Sequence, residues 1–414
     1  MSGSEWHARF FASSRGKKMT SHIHYWNYPT EIYAGEDALG LLPSVCKQQH
    51  LRHLFLVSDQ GLGKLGISAR AKALLEAADI QVTLFEDVQS NPTTDNVYAG
   101  VAAFQAGRFD GVVALGGGSV IDAAKAIALV SRQATALSDF DWNVAFEKYP
   151  SLGSFPRLGV PPLIIIPTTA GTGSELSREA VITHSAEQTK HVVTHAELLA
   201  RVVLLDPALT TGLPAHLTAA TGLDALTHHI EALVSPLYHP MSAGIALEGI
   251  RLISQFLPLA VKEPDNMAAR TQMLVASAMA AVAFQKGLGG VHAIAHALGA
   301  RYHKHHGLLN AILLPYLLKA NAAAIEEPLR LVARVVGLPG ERVDDVIDWV
   351  VQLRQALGIP HTLAEIGMTG EESDLIGAAA VADLSSADTN PIALTADDYA
   401  RIFLNAVHGR LTES

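Results

Sequence analysis

The chain has very little cysteine, no excess of basic residues and no long uninterrupted apolar run. Cys46 is the single cysteine among 414 residues, which excludes an internal disulfide and indicates a reducing compartment. The formal net charge is −10, so electrostatics disfavour nucleic acid as a partner. No unbroken apolar run reaches the ~20 residues that a membrane-spanning helix needs. These absences predict a cytoplasmic protein that binds neither nucleic acid nor membranes.

The composition is otherwise that of a folded globular protein. Hydrophobic residues make up 49% and charged residues 17%, which excludes a disordered chain, and the length favours two domains. Residues 1–24 are basic, rich in small polar residues and unlike the rest of the chain, so we predict a disordered extension. A targeting peptide, a mis-assigned start before Met19 and an expression-vector remnant are the alternatives.

Short apolar runs alternate with amphipathic segments over residues 25–206. The runs have no polar alternation, which is typical of strands buried on both faces of a parallel sheet. The predicted strands are Leu54–Ser58, Gln81–Phe85, Gly111–Leu115 and Leu163–Pro167. We therefore predict an α/β domain with a parallel sheet, in which ligands bind beyond the carboxyl ends of the strands.

The first loop of interest, GGGS, directly follows the strand GVVAL and contains Gly116, Gly117, Gly118 and Ser119. Glycines let the backbone approach a phosphate closely, and the helix after the loop offers free N–H groups. Ser119 and Asp122 also form an S-x-x-D capping pattern, which is an alternative explanation for those two residues. The motif differs from G-x-G-x-x-G, so by itself it is a moderate signal for a dinucleotide.

Two further strand ends carry residues that suit a cofactor. TTAGTGSE at Thr168–Glu175 offers small hydroxyl and glycine residues, although a turn-rich connection is an equal alternative. Asp59 closes LFLVSD, where an acid accepts hydrogen bonds from the adenosine ribose and repels a 2′-phosphate. A simple turn former is the alternative for Asp59. The sequence therefore favours NAD over NADP.

Helical periodicity dominates residues 207–414, for which we predict an all-helical second domain. Glycine and proline punctuate the segments, as at Pro214 and Gly358–Pro360. The predicted helices are Ala215–Val234, Met241–Leu259, Met267–Gln285, Val291–Tyr302, Ala311–Ala324, Val343–Gly358 and Asp397–His408.

This helical region contains one carboxylate and several imidazoles at spacings that suit a metal. Asp224 and His228 are four residues apart, as are His292 and His296, so each pair shares one helix face. Together with His306, such a set suits Fe, Zn or a related divalent ion. On spacing alone, a plain hydrogen bond along the helix is the more frequent explanation. Three neighbouring histidines are predicted to be structural: His229, His303 and His305.

The amino-acid sequence around these residues resembles that of the iron-containing (group III) alcohol dehydrogenases, and the resemblance extends over residues 25–410. The matching blocks are GLDALTHHIEA, GLGGVHAIAHALG, HHGLLNAILLP, GGGSVIDAAK and PTTAGTGSE. The resemblance implies a dehydroquinate synthase-like layout, with a dinucleotide-binding α/β domain followed by a helical metal-binding domain. It also implies Fe(II), or alternatively Zn, held by one aspartate and three histidines: Asp224, His228, His292 and His306.

The same resemblance implies NAD at the glycine-rich loop and a catalytic histidine. Thr168, Thr169 and Thr172 correspond to residues beside the nicotinamide half, and Asn91 and Lys190 to other cofactor contacts. His296 corresponds to a proton relay or nicotinamide-positioning residue rather than a ligand, with plain packing as the alternative. The metal would act as a Lewis acid on the alcohol oxygen while the cofactor accepts the hydride.

The expected reaction interconverts a short-chain primary alcohol and its aldehyde with NAD(H), in a homo-oligomer of two or more subunits. Departures from the family pattern bring Lys286 into FQKGLGGVH and Glu179 beside the nicotinamide. We hypothesise that Lys286, together with Arg301, favours a substrate with an anionic tail, such as 4-hydroxybutyrate or succinic semialdehyde. Glycerol dehydrogenase-like diol oxidation and a dehydroquinate synthase-like lyase reaction are the alternatives.

Overall fold

The structure, a computed structural model, describes residues 26–28, 30–149, 151–186 and 189–411. The extension predicted for residues 1–24 lies outside the described residues. The strands are β1 (Glu31–Ala34), β2 (His53–Val57), β3 (Gln81–Phe85), β4 (Gly111–Gly116), β5 (Leu163–Pro167), β6 (Glu179–His184), β7 (Thr189–Thr194) and β8 (Val202–Leu205).

Six of these strands form one sheet in the order β1-β8-β5-β4-β2-β3, and β6 and β7 form a separate antiparallel hairpin. Every neighbouring pair in the large sheet is parallel, which confirms the predicted α/β class. The apolar runs that predicted β4 and β5 are fully buried. The prediction missed β1 and β8, which are four residues long, and the hairpin.

Helices cover both faces of the sheet. In β2 the side chains alternate, so that Leu54 and Leu56 pack in one core and Phe55 and Val57 in the other. The helices of this half are α1 (Leu42–Gln48), α2 (Gln60–Lys64), α3 (Ile67–Glu76), α4 (Thr94–Gln105), α5 (Gly118–Val130) and α6 (Trp142–Lys148).

The second half of the chain is helical, and no strand occurs after residue 205 in the part of the chain that the structure describes. The prediction for Ala215–Val234 was correct at both ends, whereas the helix predicted at Ala311 begins at His306. Three helices, Glu326–Val336, Ser373–Ala382 and Leu384–Ala387, were missed. The helices are α7 (Ala215–Val234), α8 (Pro240–Lys262), α9 (Met267–Ala283), α10 (Gly290–Tyr302), α11 (His306–Ala320), α12 (Glu326–Val336), α13 (Val343–Ala356), α14 (Ser373–Ala382), α15 (Leu384–Ala387) and α16 (Ala396–His408).

Two helical stretches, Pro240–Lys262 and Met267–Lys286, are long and apolar enough to cross a membrane by length and composition alone. Neither stretch is an unbroken apolar run, because Glu248 interrupts the first and Arg270 the second. Both stretches contribute to the interior, where Ile253, Leu257 and Met273 are buried in the core of the helical half. Core packing therefore accounts for their composition.

The loop after β5 packs between the two halves of the chain. A Cβ added at Gly171 would lie 2.7 Å from the backbone oxygen of Thr221 on α7. Gly173 adopts a φ of +65°, and a Cβ there would lie 2.9 Å from the carbonyl oxygen of Ser277 on α9. Only glycine fits such close approaches. The carboxyl end of β5 is thereby held against the helix that carries Asp224.

Candidate metal and dinucleotide site

A cleft of about 1770 Å³ lies between the carboxyl ends of the strands and the helices α7, α10 and α11. Residues of the glycine-rich loop, including Gly117 and Gly118, line one side of the cleft. Asp224 and His292 line the other side. The two sets of residues that the sequence singled out therefore share one cavity.

Three of the four predicted metal ligands converge. Ligand atoms of Asp224, His292 and His306 all lie within 4.8 Å of one another. The close packing of α11 on α7 brings His306 to Asp224, because a Cβ on Gly307 would lie 2.6 Å from the carbonyl oxygen of Ala220. A residue with a side chain would push the two helices apart at this point.

His228 lies beside this set but is not one of the three residues whose ligand atoms meet that distance. Its ring centroid is 4.5 Å from that of His292 and 5.3 Å from that of Phe284. Its side chain is buried and lines the cleft. The Asp224 carboxylate accepts a hydrogen bond from Asn310. Among the described residues it forms no hydrogen bond with His228, which was the alternative explanation for their spacing.

Glu231 orients one of the converging imidazoles. Its Oε2 lies 2.5 Å from Nδ1 of His292, and its Oε1 accepts a hydrogen bond of 2.7 Å from the backbone N–H of Val291. A carboxylate that bonds Nδ1 leaves Nε2 available as a metal ligand and raises its basicity. Burial opposes protonation of His292, but Glu231 raises the pKa of this imidazole overall.

The Asn310 amide nitrogen marks a point that all three converging side chains reach. It lies 2.6 Å from Oδ1 of Asp224, 3.1 Å from Nε2 of His292 and 3.0 Å from Nε2 of His306. An amide nitrogen has two N–H groups and donates to at most two of these acceptors. The three acceptor atoms therefore face one common position.

Burial changes the protonation of several side chains in the cluster. Burial raises the pKa of Asp224, although His292 and Asn310 work in the opposite direction. Burial also holds the pKa of His228 and His306 well below the ordinary value, so both rings are neutral and keep a lone pair for a metal. Among the described residues, His306 Nδ1 and Asn310 Oδ1 are buried without a hydrogen-bond partner.

His296 lies in the cleft next to this cluster. Its Nδ1 is 2.8 Å from Oδ2 of Asp383, and its ring stacks on that of His306 with centroids 5.3 Å apart. Burial alone would raise the pKa of Asp383, but His296 and the Ser385 hydroxyl group lower it overall. This carboxylate therefore fixes the His296 ring, which simple packing would not require.

The three neighbouring histidines predicted to be structural lie in different places: His303 and His305 line the cleft, whereas His229 does not. His229 is fully buried, and its Nε2 lies 2.9 Å from the carbonyl oxygen of Ala276. His303 ends α10 in a left-handed conformation with φ of 52°. His305 is the N-cap of α11, where Nδ1 accepts a hydrogen bond from the backbone N–H of Leu308.

The glycine-rich loop and the loop after β5 are packed against each other. A Cβ on Gly118 would lie 2.6 Å from the Thr172 side chain. The capping explanation for this loop was wrong: Gly117 is the N-cap of α5, and the Ser119 hydroxyl group donates to the carbonyl oxygen of Ser90. The predicted cofactor residues that line the cleft are Asp59, Asn91, Gly117, Gly118, Ser119, Asp122, Thr168, Thr169, Thr172 and Lys190.

Gly116 does not line the cleft. It is the buried last residue of β4, and a Cβ there would meet the Val120 side chain at 2.6 Å. Asp122 uses both oxygens inside the protein, accepting from the Ser174 hydroxyl group at 2.5 Å and from the Val181 backbone N–H at 3.1 Å. These two residues therefore shape the loop.

Asp59 and Lys190 stand at different parts of the cleft. Asp59 is the N-cap of α2, and its Oδ1 accepts a hydrogen bond of 3.0 Å from the Leu62 backbone N–H. Both roles foreseen for this carboxylate, as a turn former and as a group facing the cleft, are compatible with that position. Burial lowers the pKa of Lys190, while its electrostatic neighbours Asp122 and Asp224 act in the opposite direction.

Sequence reasoning missed the groups that orient the cluster. Glu231 is seven residues after Asp224 and three after His228, so helical spacing was an available signal. Asn310 is four residues after His306, and the same signal applies. Asp383 belongs to none of the recognised motifs, and only the fold brings it to His296.

The prediction that Arg301 contributes to the substrate pocket was wrong. Its guanidinium group pairs with Glu372 at an exposed position, and Arg301 is not among the residues that line the cleft. Lys286 does line the cleft, and its Nζ donates a hydrogen bond of 2.7 Å to the carbonyl oxygen of Leu233 at the end of α7. Glu179 also lines the cleft, and its Oε2 accepts a hydrogen bond from the backbone N–H of Arg178.

Comparisons with known proteins agree with this arrangement. Residues 29–207 match the profile "Iron-containing alcohol dehydrogenase", and residues 218–407 match "Fe-containing alcohol dehydrogenase family, C-terminal". The chain is 35% identical over 381 residues to Alcohol dehydrogenase 4 of Saccharomyces cerevisiae, covering 91% of this chain and 97% of that protein. It is 36% identical over 387 residues to 4-hydroxybutyrate dehydrogenase of Cupriavidus necator, with coverage of 91% and 97%.

Among solved structures, 1,3-propanediol oxidoreductase superposes with a TM-score of 0.86 at 32% identity, covering 92% of this chain and 100% of that chain. A glycine-rich loop on a parallel sheet, opposite a carboxylate–imidazole cluster on helices, is typical of a dinucleotide-dependent enzyme with a metal centre. The chain belongs to the iron-containing alcohol dehydrogenase family. It interconverts an alcohol and its aldehyde with NAD.

Proposed function

We propose that one divalent metal ion is held by the four side chains Asp224, His228, His292 and His306, with Fe(II) as the first choice and Zn as the second. The convergence of the Asp224, His292 and His306 ligand atoms within 4.8 Å of one another is the observation that carries this proposal. The neutral, buried His228 ring beside His292 supports it as the fourth ligand. One carboxylate and three imidazoles are compatible with both metals.

A bound metal would supply Lewis-acid polarisation of the alcohol oxygen, and a bound nicotinamide would supply the hydride acceptor. The chain supplies the positioning. Glu231 holds His292 with Nε2 toward the cluster, and Asp383 holds His296 through Nδ1. His296 Nε2 is then the group that accepts the alcohol proton, and the Asp383 carboxylate stabilises the resulting imidazolium.

We propose that the dinucleotide lies along the loops at the carboxyl ends of β2, β4 and β5. Gly117 and Gly118 let its pyrophosphate approach the first turn of α5. Thr169 and Thr172, packed on those glycines, face the nicotinamide half. The Asp59 carboxylate at the end of β2 repels a 2′-phosphate, so NADH is preferred over NADPH.

We propose further that the substrate has an anionic tail. Lys286 is 9% exposed, lines the cleft and forms no ion pair with a carboxylate among the described residues. Burial lowers its pKa to about 8, so the ammonium group is charged at neutral pH. A buried cation without a counter-ion favours an anionic ligand. The name of the relative 4-hydroxybutyrate dehydrogenase supports the same substrate class.

We also propose a soluble, cytoplasmic homo-oligomer of two or more subunits. The single cysteine, Cys46, is buried and unpaired, in keeping with a reducing compartment. Ile32 on the edge strand β1 and Leu41 nearby in sequence are 47% and 41% exposed, and exposed apolar residues at a sheet edge favour burial by a second subunit. Light scattering of the purified protein tests the oligomeric state.

A metal titration combined with a substrate panel tests the proposed function. Wild-type protein is expected to bind one Fe(II) or Zn per chain and to reduce C2–C6 aldehydes with NADH in preference to NADPH. His292→Ala and His306→Ala are expected to lose both metal and activity. His408→Ala is the matched control, because His408 is exposed on α16 and does not line the cleft, and it is expected to retain both. Undiminished metal binding by His292→Ala and His306→Ala would contradict the assigned ligands.

A further inference from the structure

The aromatic side chains of residues 26–28 pack on His239, just beyond the end of α7. The Trp26 indole stacks on the His239 imidazole with ring centroids 4.6 Å apart and an angle of 21°. The Tyr28 hydroxyl group lies 2.9 Å from His239 Nε2, while His239 Nδ1 accepts a hydrogen bond of 3.2 Å from the Ser242 backbone N–H. Both ring nitrogens are therefore engaged, and the imidazole is a fixed platform for the indole.

The backbone between these two aromatic residues connects the two halves of the protein. The Asn27 carbonyl oxygen accepts a hydrogen bond of 2.9 Å from the guanidinium group of Arg178, which directly precedes β6. It also accepts one of 3.4 Å from the side-chain amide of Gln285, which lies just after α9. Residues 26–28 thus bridge the sheet-bearing half and the helical half, and we call them the strap.

The strap lies at the metal side of the cleft. Gln285, which holds it, is adjacent to Phe284, whose ring centroid is 5.3 Å from that of His228. The Trp26 side chain lines the cleft together with Phe284 and Lys286. Asp59 marks the opposite, adenosine side, because β2 is separated from β5 by β4 in the sheet. The strap is therefore connected, through Asn27 and Gln285, to the side of the cleft where Phe284 contacts His228.

We propose that the strap closes the substrate end of the cleft and that the Trp26 indole is the wall that limits the length of the alcohol. The proposal rests on the alcohol dehydrogenase activity and on the metal ligands proposed above. A rigid ring stacked on a fixed imidazole leaves no adjustable space for further methylene groups. Shortening this side chain opens apolar space, and each methylene that enters it raises kcat/KM about fourfold.

The test compares primary alcohols from ethanol to octanol as substrates of metal-loaded wild-type and Trp26→Ala protein with NAD. In Trp26→Ala, the ratio of kcat/KM for hexanol to that for ethanol is expected to rise at least tenfold, as two or more methylenes gain space. Trp349→Ala is the matched control, because Trp349 is also half-buried but lies on α13, away from the cleft. Its ratio is expected to equal that of the wild type.

Tyr28→Phe is a second variant that keeps the fold and removes only the hydroxyl group bonded to His239. A smaller rise in the hexanol-to-ethanol ratio is expected, because the His239 imidazole that supports Trp26 then loses its hydrogen bond with Tyr28. An equal loss of kcat/KM for every alcohol in Trp26→Ala, or an unchanged ratio, overturns the strap proposal and leaves the proposed function intact. A wild-type protein that oxidises none of the alcohols overturns the activity and the strap with it.

Discussion

Replacement of Lys286 by methionine tests whether this residue recognises an anionic substrate. The change removes the charge and keeps most of the length of a side chain that is 9% exposed. Its ammonium group uses one hydrogen bond, to the Leu233 carbonyl oxygen, and keeps donors for a ligand. A hydrogen bond between charged groups contributes about 1.5–3 kcal/mol, and the Coulomb attraction at 4 Å is at most ~4 kcal/mol at an effective dielectric constant near 20.

A loss of about 2 kcal/mol corresponds to roughly a 30-fold change in kcat/KM. The assay measures NADH-dependent reduction of succinic semialdehyde and of butanal, which differ by the terminal carboxylate. In Lys286→Met, the ratio of the two kcat/KM values is expected to fall roughly 30-fold, with butanal little changed. Lys319→Met is the matched control, because Lys319 pairs with Asp344 away from the cleft.

The pH dependence gives an independent measurement on the same residue. Burial lowers the pKa of Lys286 to about 8, so its charge is present below that pH and lost above it. The preference for succinic semialdehyde over butanal is therefore expected to decline as the pH rises through about 8, and to be flat in Lys286→Met. Because the unfolded chain binds more protons between this value and the unperturbed pKa, the destabilisation caused by burying the charged lysine declines as the pH rises across that window. A wild-type ratio that is unchanged by the substitution and independent of pH would refute the reasoning.

Three further changes probe the site and its supports. Glu231→Gln is expected to weaken metal binding about 10- to 100-fold in a metal titration, because the imidazole it orients loses its carboxylate partner; unaltered affinity would contradict this role. Gly118→Ala is expected to raise the Kd for NADH about tenfold in a fluorescence titration, since the methyl group meets the Thr172 side chain at 2.6 Å. Gly249→Ala forces a methyl group against the buried His229 imidazole. It is expected to reduce the free energy of unfolding, measured by urea denaturation, by about 2–4 kcal/mol. Gly244→Ala is the control, because Gly244 lies on the same helix in open space, and it is expected to cause no loss.

Local sequence patterns predicted four strands of the parallel sheet, β2 to β5, and the longest part of the helical half. The strand at Leu163–Pro167 is apolar throughout and buried throughout, and the helix at Ala215–Val234 has the predicted ends. The short strands β1 and β8 were not recognised, because four residues are too few to show a period. The helix Glu326–Val336 was missed, although it is amphipathic and buries Leu329 and Val332.

Local sequence patterns also predicted only part of the candidate site. Spacing along one helix predicted that Asp224 and His228 share a face, because helical geometry alone determines which neighbours in sequence lie together. The partners of His292 and His296 in the structure, Glu231 and Asp383, come from separate elements and depend on how those elements pack.

The sequence by itself determined the class of fold, the glycine-rich loop and the candidate ligands, since each depends on residues a few positions apart. Only the tertiary structure decided which of them meet. Gly307 allows α11 to approach α7, which brings His306 to Asp224. Arg301 instead forms an ion pair with Glu372. Contacts between distant segments depend on helix packing, and no local spacing in the chain encodes them.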